Sequence, residues 1–479
     1  MPTLPSHSVQ FWSVTAALAL ALVLAPSLAS VAIAAAPVRK VVLEAHCDNP
    51  MELAPLPDGR VLFIERFGSV RVWKPDTMST VLAAKLSVHG HVNAMNAKET
   101  DRGGWESGLI GLALAPEFSR NGWIYLYYSP AGDAPENRLS RFTLTGDQLD
   151  LASEKIVLRV PVQREVCCHD AGSLAFDAAG NLFLSTGDNT NPFESDGFNP
   201  TDFRPERYMF DAARSAGNAN DLRGKILRIH PEPDGRYTVP GGNLFPVGAA
   251  QTRPEIFVMG CRNPFRISVD KETGALTWGD VGPDARESRP ERGPAGFDEI
   301  NRTRTAGNFG WPFLIADNKP YRQYDFATRQ SGDAQLREKP LNLSPRNTGP
   351  KELPPARGSW MAYPYSPSTR YPVVGSGGRA ACAGPVYHYN PGLRSARKLP
   401  EAYDQCLFIY EWERHWIVSI KLNAAGEALQ MERFAPEIAL KRHIEMELGE
   451  DGALYMIEFG TGWENNKDSQ VIRIEAIPQ

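Results

Sequence analysis

A short polar turn followed by a β-rich run recurs along this chain, and few folds accommodate such a recurrence. The units are "LPDGRVLFIERFGSVRVW", "FSRNGWIYLYYSP", "FDAAGNLFLSTGD", "DKETGALTWGDVG", "NAAGEALQMERF" and "EDGALYMIEFG". Turn residues set between β-branched or aromatic runs are hairpin signals, and their irregular repetition predicts the blades of a propeller. Several runs, at 124–128, 182–184 and 407–410, are nearly continuous in apolar residues. That suits strands covered on both faces by neighbouring sheets. Helical periodicity is scarce, and 41 Gly and 39 Pro weigh against a helical fold. The predicted class is therefore all-β. Two stretches, 189–222 and 318–383, are rich in Pro, Gly, Arg, Asp and Asn and break the rhythm. Loops of this length in a compact domain are commonly functional, and these are expected to roof one face, with plain surface elaboration as the alternative. No linker divides the mature chain, so 37–479 is predicted to be one domain.

With 479 residues, 42% of them hydrophobic, the chain can bury one large core or two ordinary ones. A net charge of −5 offers no basic excess to track a phosphate backbone, which argues against nucleic acid as a partner and for small molecules. The first 36 residues hold no Lys, Arg, Asp or Glu, and an apolar run at 14–25 leads into "SVAIAAAP". This reads as a secretory signal peptide cleaved near Ala36, although only His7 stands where a basic residue is usual. The expected location is secreted or periplasmic. An uncleaved N-terminal anchor is the alternative, since 11–36 is long enough to span a bilayer. Beyond residue 40 no long apolar run occurs, so no membrane span is expected in the mature body. Six cysteines allow up to three disulfides in 15 pairings. "CCH" at 167–169 lacks the two intervening residues of the C-x-x-C-H haem signature.

Hairpin arithmetic brings polar residues together. The turn "DAAG" is centred between Ala178 and Ala179, so a regular antiparallel register sets His169 opposite Asp188. A carboxylate there can orient an imidazole and stabilise its protonated form; a structural histidine beside a strand-ending aspartate is the plainer reading. The turn "KETG" is centred between Glu272 and Thr273, which sets Asn263 opposite Gly282 and Arg262 opposite Pro283. A guanidinium and an amide beside Gly-Pro carbonyls could hold an anionic, oxygen-rich ligand and a hard cation such as Ca²⁺, or simply cap a turn. The turn "GEDG", centred between Glu450 and Asp451, sets Arg442 opposite Phe459 and near "GTGW".

Seven motifs occur in order: "ESGLIGLALAPEF" (106–118), "HDAGSLAFDAAGNLFLSTGD" (169–188), "LRGKILRIHPE" (222–232), "GCRNPFRISVD" (260–270), "VGPD" (281–284), "DEIN" (298–301) and "GNFGWP" (307–312). Together the chain resembles the soluble PQQ-dependent glucose/sorbosone dehydrogenase family, from about Val41 to Ile477. The resemblance implies a six-bladed β-propeller with PQQ and calcium at the mouth of its central channel, here with the long insertions on one face. It implies His169 as the general base at an aldose C1 hydroxyl, tuned by Asp188. It further implies Arg262 and Asn263 on the quinone oxygens, Arg442 among the cofactor-binding arginines, and the Gly282 and Pro283 carbonyls on Ca²⁺ as a Lewis acid.

Departures accompany the match. Glu106 stands where the family has a glutamine touching the cofactor, and Cys168 replaces an acidic residue before the histidine. Glu413 falls where a lysine is expected, and Ile444 where a second arginine is. PQQ carries three carboxylates, so these exchanges are expected to weaken its electrostatic hold in a desolvated cleft. Arg214 or Arg379 from the long loops could offset the loss. Cys167 and Cys168 could close a vicinal disulfide that serves as an apolar platform beside His169; paired thiols or bridges to distant cysteines are the alternatives. The expected function is an exported PQQ- and Ca²⁺-dependent dehydrogenase that oxidises an aldose at C1 and passes electrons to a separate acceptor such as a cytochrome. The alternatives are a carbohydrate-binding propeller that has lost PQQ and a calcium-dependent lactone hydrolase using His169 or Glu106.

Overall fold

A computed structural model describes residues 1, 37–90, 106–132, 134–463 and 466–477. The signal-peptide and anchor expectations for 1–36 lie outside the described residues, apart from Met1. Among the described residues, no helix is long and apolar enough to cross a membrane. The fold belongs to the compact unit Ile33–Gln479. It is a six-bladed β-propeller, each blade built on four antiparallel strands.

Blade 1 comprises Pro50–Pro55, Val61–Glu65, Ser69–Lys74 and Ser79–Lys85; blade 2 comprises Leu109–Leu114, Trp123–Tyr128, Glu136–Thr145 and Gln148–Pro161. Blade 3 runs through Leu174–Phe176, Leu182–Thr186, Lys225–Pro231 and Ile256–Met259, with Gly307–Asn308 added in parallel at its edge. Blade 4 comprises Pro264–Asp270, Ala275–Asp280, Asp298–Thr303 and Met361–Tyr363, and blade 5 comprises Ala381–Tyr387, Cys406–Glu411, Trp416–Leu422 and Ala428–Arg433. Blade 6 joins His443–Leu448, Leu454–Glu458 and Gln470–Ala476 to Val38–Glu44 from the other end of the chain, with Val38 opposite Ala476. The first strands of successive blades touch around a closed ring.

The six turn-and-run units fall one in each blade. Five of them join a first strand to a second; "NAAG" joins the third and fourth strands of blade 5. Second strands lie between neighbouring blades and are buried along their whole length, as in Val61–Glu65 and Cys406–Glu411. This accounts for their nearly continuous apolar sequences. Outer strands such as Ala428–Arg433 stay exposed or half-exposed and carry polar residues. One expectation needs correction, because the stretch 318–383 is not wholly an insertion: it supplies Met361–Tyr363, the outer strand of blade 4. Three residues are too few for an alternating pattern to show.

The inner strands share a device that shapes the channel mouth. Register shifts single out Met51 in blade 1, Ile110 in blade 2, Phe265 in blade 4 and Ile444 in blade 6. A bulge inserts one unpaired residue and re-aims its side chain. The buried Arg266 guanidinium ties three of these bulges together, donating to Met51 O (2.5 Å), Ile444 O (2.9 Å) and Phe265 O (2.9 Å) and pairing with Glu445 (2.5 Å). Without such partners a guanidinium buried at this depth would be strongly destabilising.

Candidate functional site

The hairpin of blade 3 shows how the site assembles. Its register pairs Leu174 with Leu184 and Phe176 with Leu182, one residue away from the register expected of a four-residue turn. The Asp177 carboxylate accepts from the backbone N–H groups of Ala179 (2.9 Å) and Asn181 (2.8 Å), enlarging the turn to five residues. The backbone N–H donating to His169 O therefore belongs to Asn189 (3.1 Å), not Asp188. The side chains still meet. His169 adopts φ 66° and Asn189 φ 52°, a left-handed backbone that redirects side chains out of the regular alternation. His169 Nδ1 lies 2.8 Å from Asp188 Oδ1.

Asp188 is held by more than the histidine. Its Oδ1 also accepts from Thr190 N–H (3.0 Å) and its Oδ2 from Trp311 Nε1–H (2.8 Å). A carboxylate is acceptor-only, so His169 Nδ1 carries the proton between them, and in the neutral imidazole Nε2 keeps its lone pair. With Nδ1 committed, Nε2 is the nitrogen left for the cavity that His169 lines. Gly187 makes the close approach possible, because a Cβ there would lie 2.1 Å from His169 O.

In blade 4 the bulge at Phe265 shifts the expected pairings by one: Val281 N–H donates to Asn263 O (3.3 Å), so Asn263 faces Val281 rather than Gly282. The Arg262 guanidinium donates to Val281 O (2.9 Å). Asp280 accepts the backbone N–H groups of Asn263 (2.7 Å) and Arg262 (3.1 Å), anchoring both residues. Burial pushes its carboxyl up to about 7, with the neighbouring Asp188 charge adding to the rise against those hydrogen bonds. In blade 6 a five-residue turn and the bulge at Ile444 offset one another, and Arg442 does face Phe459, whose N–H donates to Arg442 O (3.0 Å).

These residues converge on one cavity of about 410 Å³. His169, Cys168, Arg262, Asn263 and Glu106 line one part of it; the bulged Met51, Phe265 and Ile444 give it an apolar surface; and Trp412, Phe459 and Trp463 supply aromatic rings. Pro192 and Phe193 from the first long stretch and Arg379 and Ala380 from the second add to the wall, which also includes Arg66, Val281, Asp284 and Cys382. Cys167 and Cys168 form the vicinal disulfide, while Cys47, Cys261, Cys382 and Cys406 are free and buried. Of the two loop arginines, Arg379 reaches the cavity; Arg214 donates instead to Tyr208 O (2.5 Å) and Asn189 O (3.2 Å). Arg442 stacks 4.9 Å from the Trp412 ring and lies 3.3 Å from Glu413 Oε2. Glu106 accepts from Asn263 Nδ2 (3.3 Å) and Asp170 N–H (3.2 Å).

Buried atoms without hydrogen-bond partners indicate what this cavity suits. Three donors, Arg262 Nε, Arg379 Nε and Arg442 Nε, and one acceptor, Asn263 Oδ1, are buried and unpaired; Arg262, Arg379 and Asn263 line the cavity. Unpaired donors of this kind favour an oxygen-rich, anionic guest, and PQQ fits that chemistry. At the Gly282–Pro283 wall, expected to hold calcium, Pro283 O accepts from the Arg379 guanidinium (Nη2, 2.7 Å), a fixed positive charge that does not suit a divalent cation beside it. Among the described residues no cluster of His, Cys, Asp and Glu suits a metal ion. Sequence reasoning missed Trp311, although it lies in the "GNFGWP" motif, and could not place Arg379, which sits in a Gly-rich loop far from its partners in sequence.

The chain is 28% identical over 283 residues to the aldose sugar dehydrogenase YliI of Escherichia coli K12, a match covering 58% of this chain and 63% of that protein. Its fold is shared by the apo soluble aldose sugar dehydrogenase of E. coli (TM-score 0.59, 21% identity, 92% of this chain and 100% of that one). The PQQ-bound aldose sugar dehydrogenase of Streptomyces coelicolor is also similar (TM-score 0.56, 18% identity, 92% and 98%). Residues 47–344, which span the His169–Asp188 pair, the Arg262–Asn263 corner and Trp311, carry the sequence pattern described as Glucose / Sorbosone dehydrogenase, and the chain belongs to that family.

Proposed function

We propose that this protein is a PQQ-dependent sugar dehydrogenase, exported from the cytoplasm and acting on the C1 hydroxyl of an aldose. The observation that carries this reading is the His169–Asp188 pair (2.8 Å) on the wall of a cavity lined by Arg262 and Arg379, each with its Nε–H unpaired. PQQ, when bound, supplies the two-electron acceptor for the substrate hydride. His169 Nε2 takes the hydroxyl proton, and Asp188 stabilises the imidazolium that results. Arg262, Asn263 and Arg442 would hold oxygens of the anionic guest, and Glu106 fixes Asn263 by accepting from its Nδ2. The Cys167–Cys168 bridge and the aromatic rings offer apolar surface to a sugar face while water is displaced. Electrons would then pass on to a separate acceptor.

A second reading, a sugar-binding propeller without redox chemistry, is favoured by one observation: Arg442 is paired with Glu413 and also donates to Thr461 O, which reduces its availability to an anion. The calcium-dependent hydrolase alternative asks the Gly282–Pro283 wall for a metal that its donor set does not suit. The deciding experiment is a calorimetric and spectroscopic titration of the mature protein with PQQ, followed by an aldose panel with an artificial electron acceptor. Saturable binding with sugar-dependent acceptor reduction, lost in His169→Ala, supports the dehydrogenase. Sugar binding with no uptake of PQQ favours the second reading.

A further inference from the structure

The Gly282–Pro283 wall holds a guanidinium group. Arg379 Nη2 donates to Pro283 O (2.7 Å), and Nη1 lies 2.9 Å from Asp298 Oδ1 in an ion pair whose side chains are 1% and 0% exposed. Asp298 is locked from both sides, its Oδ1 accepting Gly282 N–H (3.0 Å) and its Oδ2 accepting Ala381 N–H (2.9 Å). One carboxylate thus grips both the wall and the strand that follows Arg379. The Tyr365 ring supports the guanidinium at 3.9 Å. Gly296 packs directly against the carbonyl oxygen, because a Cβ there would lie 1.6 Å from Pro283 O.

A hard divalent ion requires six to eight oxygens, and at this carbonyl it would stand beside a fixed positive charge. Arg379 Nε and Arg262 Nε, meanwhile, are buried without acceptors on residues that line the same cavity. We propose that Arg379 is the resident cation of this wall, and that with Arg262 it receives the oxygens of a planar anionic guest without calcium. The identity of the guest rests on the function proposed above; the absence of a calcium requirement does not.

The test uses the mature protein and calcium alone, with no quinone or sugar, so its outcome is separate from that of the PQQ titration. Calorimetry with CaCl₂ is expected to give no saturable heat into the millimolar range, and the thermal midpoint should be the same in CaCl₂ and in EGTA. Arg379→Met keeps the aliphatic stem against Tyr365 and uncovers the Asp298 carboxylate and Pro283 carbonyl. It is expected to gain calcium binding with a Kd of roughly 10⁻⁴–10⁻³ M, the range of weak protein sites, and a matching stabilisation. Arg379→Lys retains a cation and should stay insensitive to calcium; if the Met variant does not fold, this variant and the wild type decide. Saturable, EGTA-reversible stabilisation of the wild type or of Arg379→Lys overturns the proposal, as does a folded Arg379→Met that gains no calcium response.

Discussion

Replacing Asp188 by Asn tests how the histidine is held, because the amide cannot satisfy all three of its donors. Asp188 Oδ1 accepts from His169 Nδ1 and Thr190 N–H, and Oδ2 accepts from Trp311 Nε1–H at 2.8 Å. If the amide oxygen of the substituted side chain faces His169, its NH₂ points at the Trp311 N–H, leaving buried donors opposed at a cost of about 1–3 kcal/mol. If it flips, the NH₂ faces His169 Nδ1, which must then accept, and the proton moves to Nε2. The base lone pair is lost, and turnover with PQQ, an aldose and an artificial acceptor should fall by about 10²–10⁴-fold. Trp311→Phe in the same chain removes the opposing donor, so the amide oxygen can face His169 and Thr190 as Oδ1 did. The double variant is therefore expected to be more active and to unfold at a higher temperature than D188N alone, a positive coupling in a double-mutant cycle. A double variant no better than D188N in either assay would refute the tautomer argument.

Three further outcomes follow from the same geometry. Glu413→Gln removes the carboxylate 3.3 Å from Arg442 Nη2; a half-buried pair of this kind is worth about 1 kcal/mol, so calorimetry should show PQQ binding roughly fivefold tighter, and unchanged affinity would place Arg442 outside the anion site. Burial holds Asp280 up to about 7, and burial with the Asp280 charge holds Glu299 up to about 8, from ordinary values of 3.8 and 4.5. Groups raised in the fold contribute fully below their unfolded values and lose that contribution as pH climbs through the folded ones. The thermal midpoint should thus fall between pH 5 and pH 8 with a shallower slope in Asp280→Asn; an unaltered slope would remove Asp280 from the account. Gly187→Ala drives a Cβ to 2.1 Å from His169 O, so denaturant unfolding should register a loss of about 1–3 kcal/mol, and wild-type stability would show that the backbone yields freely.

The propeller was legible because its second strands are buried on both faces and must be largely apolar, while the turns between strands require Asn, Asp and Gly. Those demands are local. The positions of Met51, Phe265 and Ile444 were not legible, since a bulge is a mismatch between two strands and leaves no mark on either one alone. Asp177 shows the same limit at a turn: its carboxylate enlarged the loop by one residue and displaced the backbone register. His169 and Asp188 came together nonetheless through left-handed backbone at His169, which two-fold strand counting does not include. Arg442 opposite Phe459 agreed with the count only because two irregularities compensated.

By itself, then, the sequence determined the fold class, the number of repeating units, and the residue types gathered at the ends of the hairpins, because burial and turn chemistry act on neighbours in the chain. The tertiary structure alone decided that Trp311 completes the Asp188 shell from 123 residues away and that Arg379 reaches Pro283 across 96. Both contacts depend on how separate loops converge over the channel mouth. There a fixed guanidinium occupies the wall expected to hold calcium, because the loop carrying Arg379 packs it against Pro283 O and Asp298.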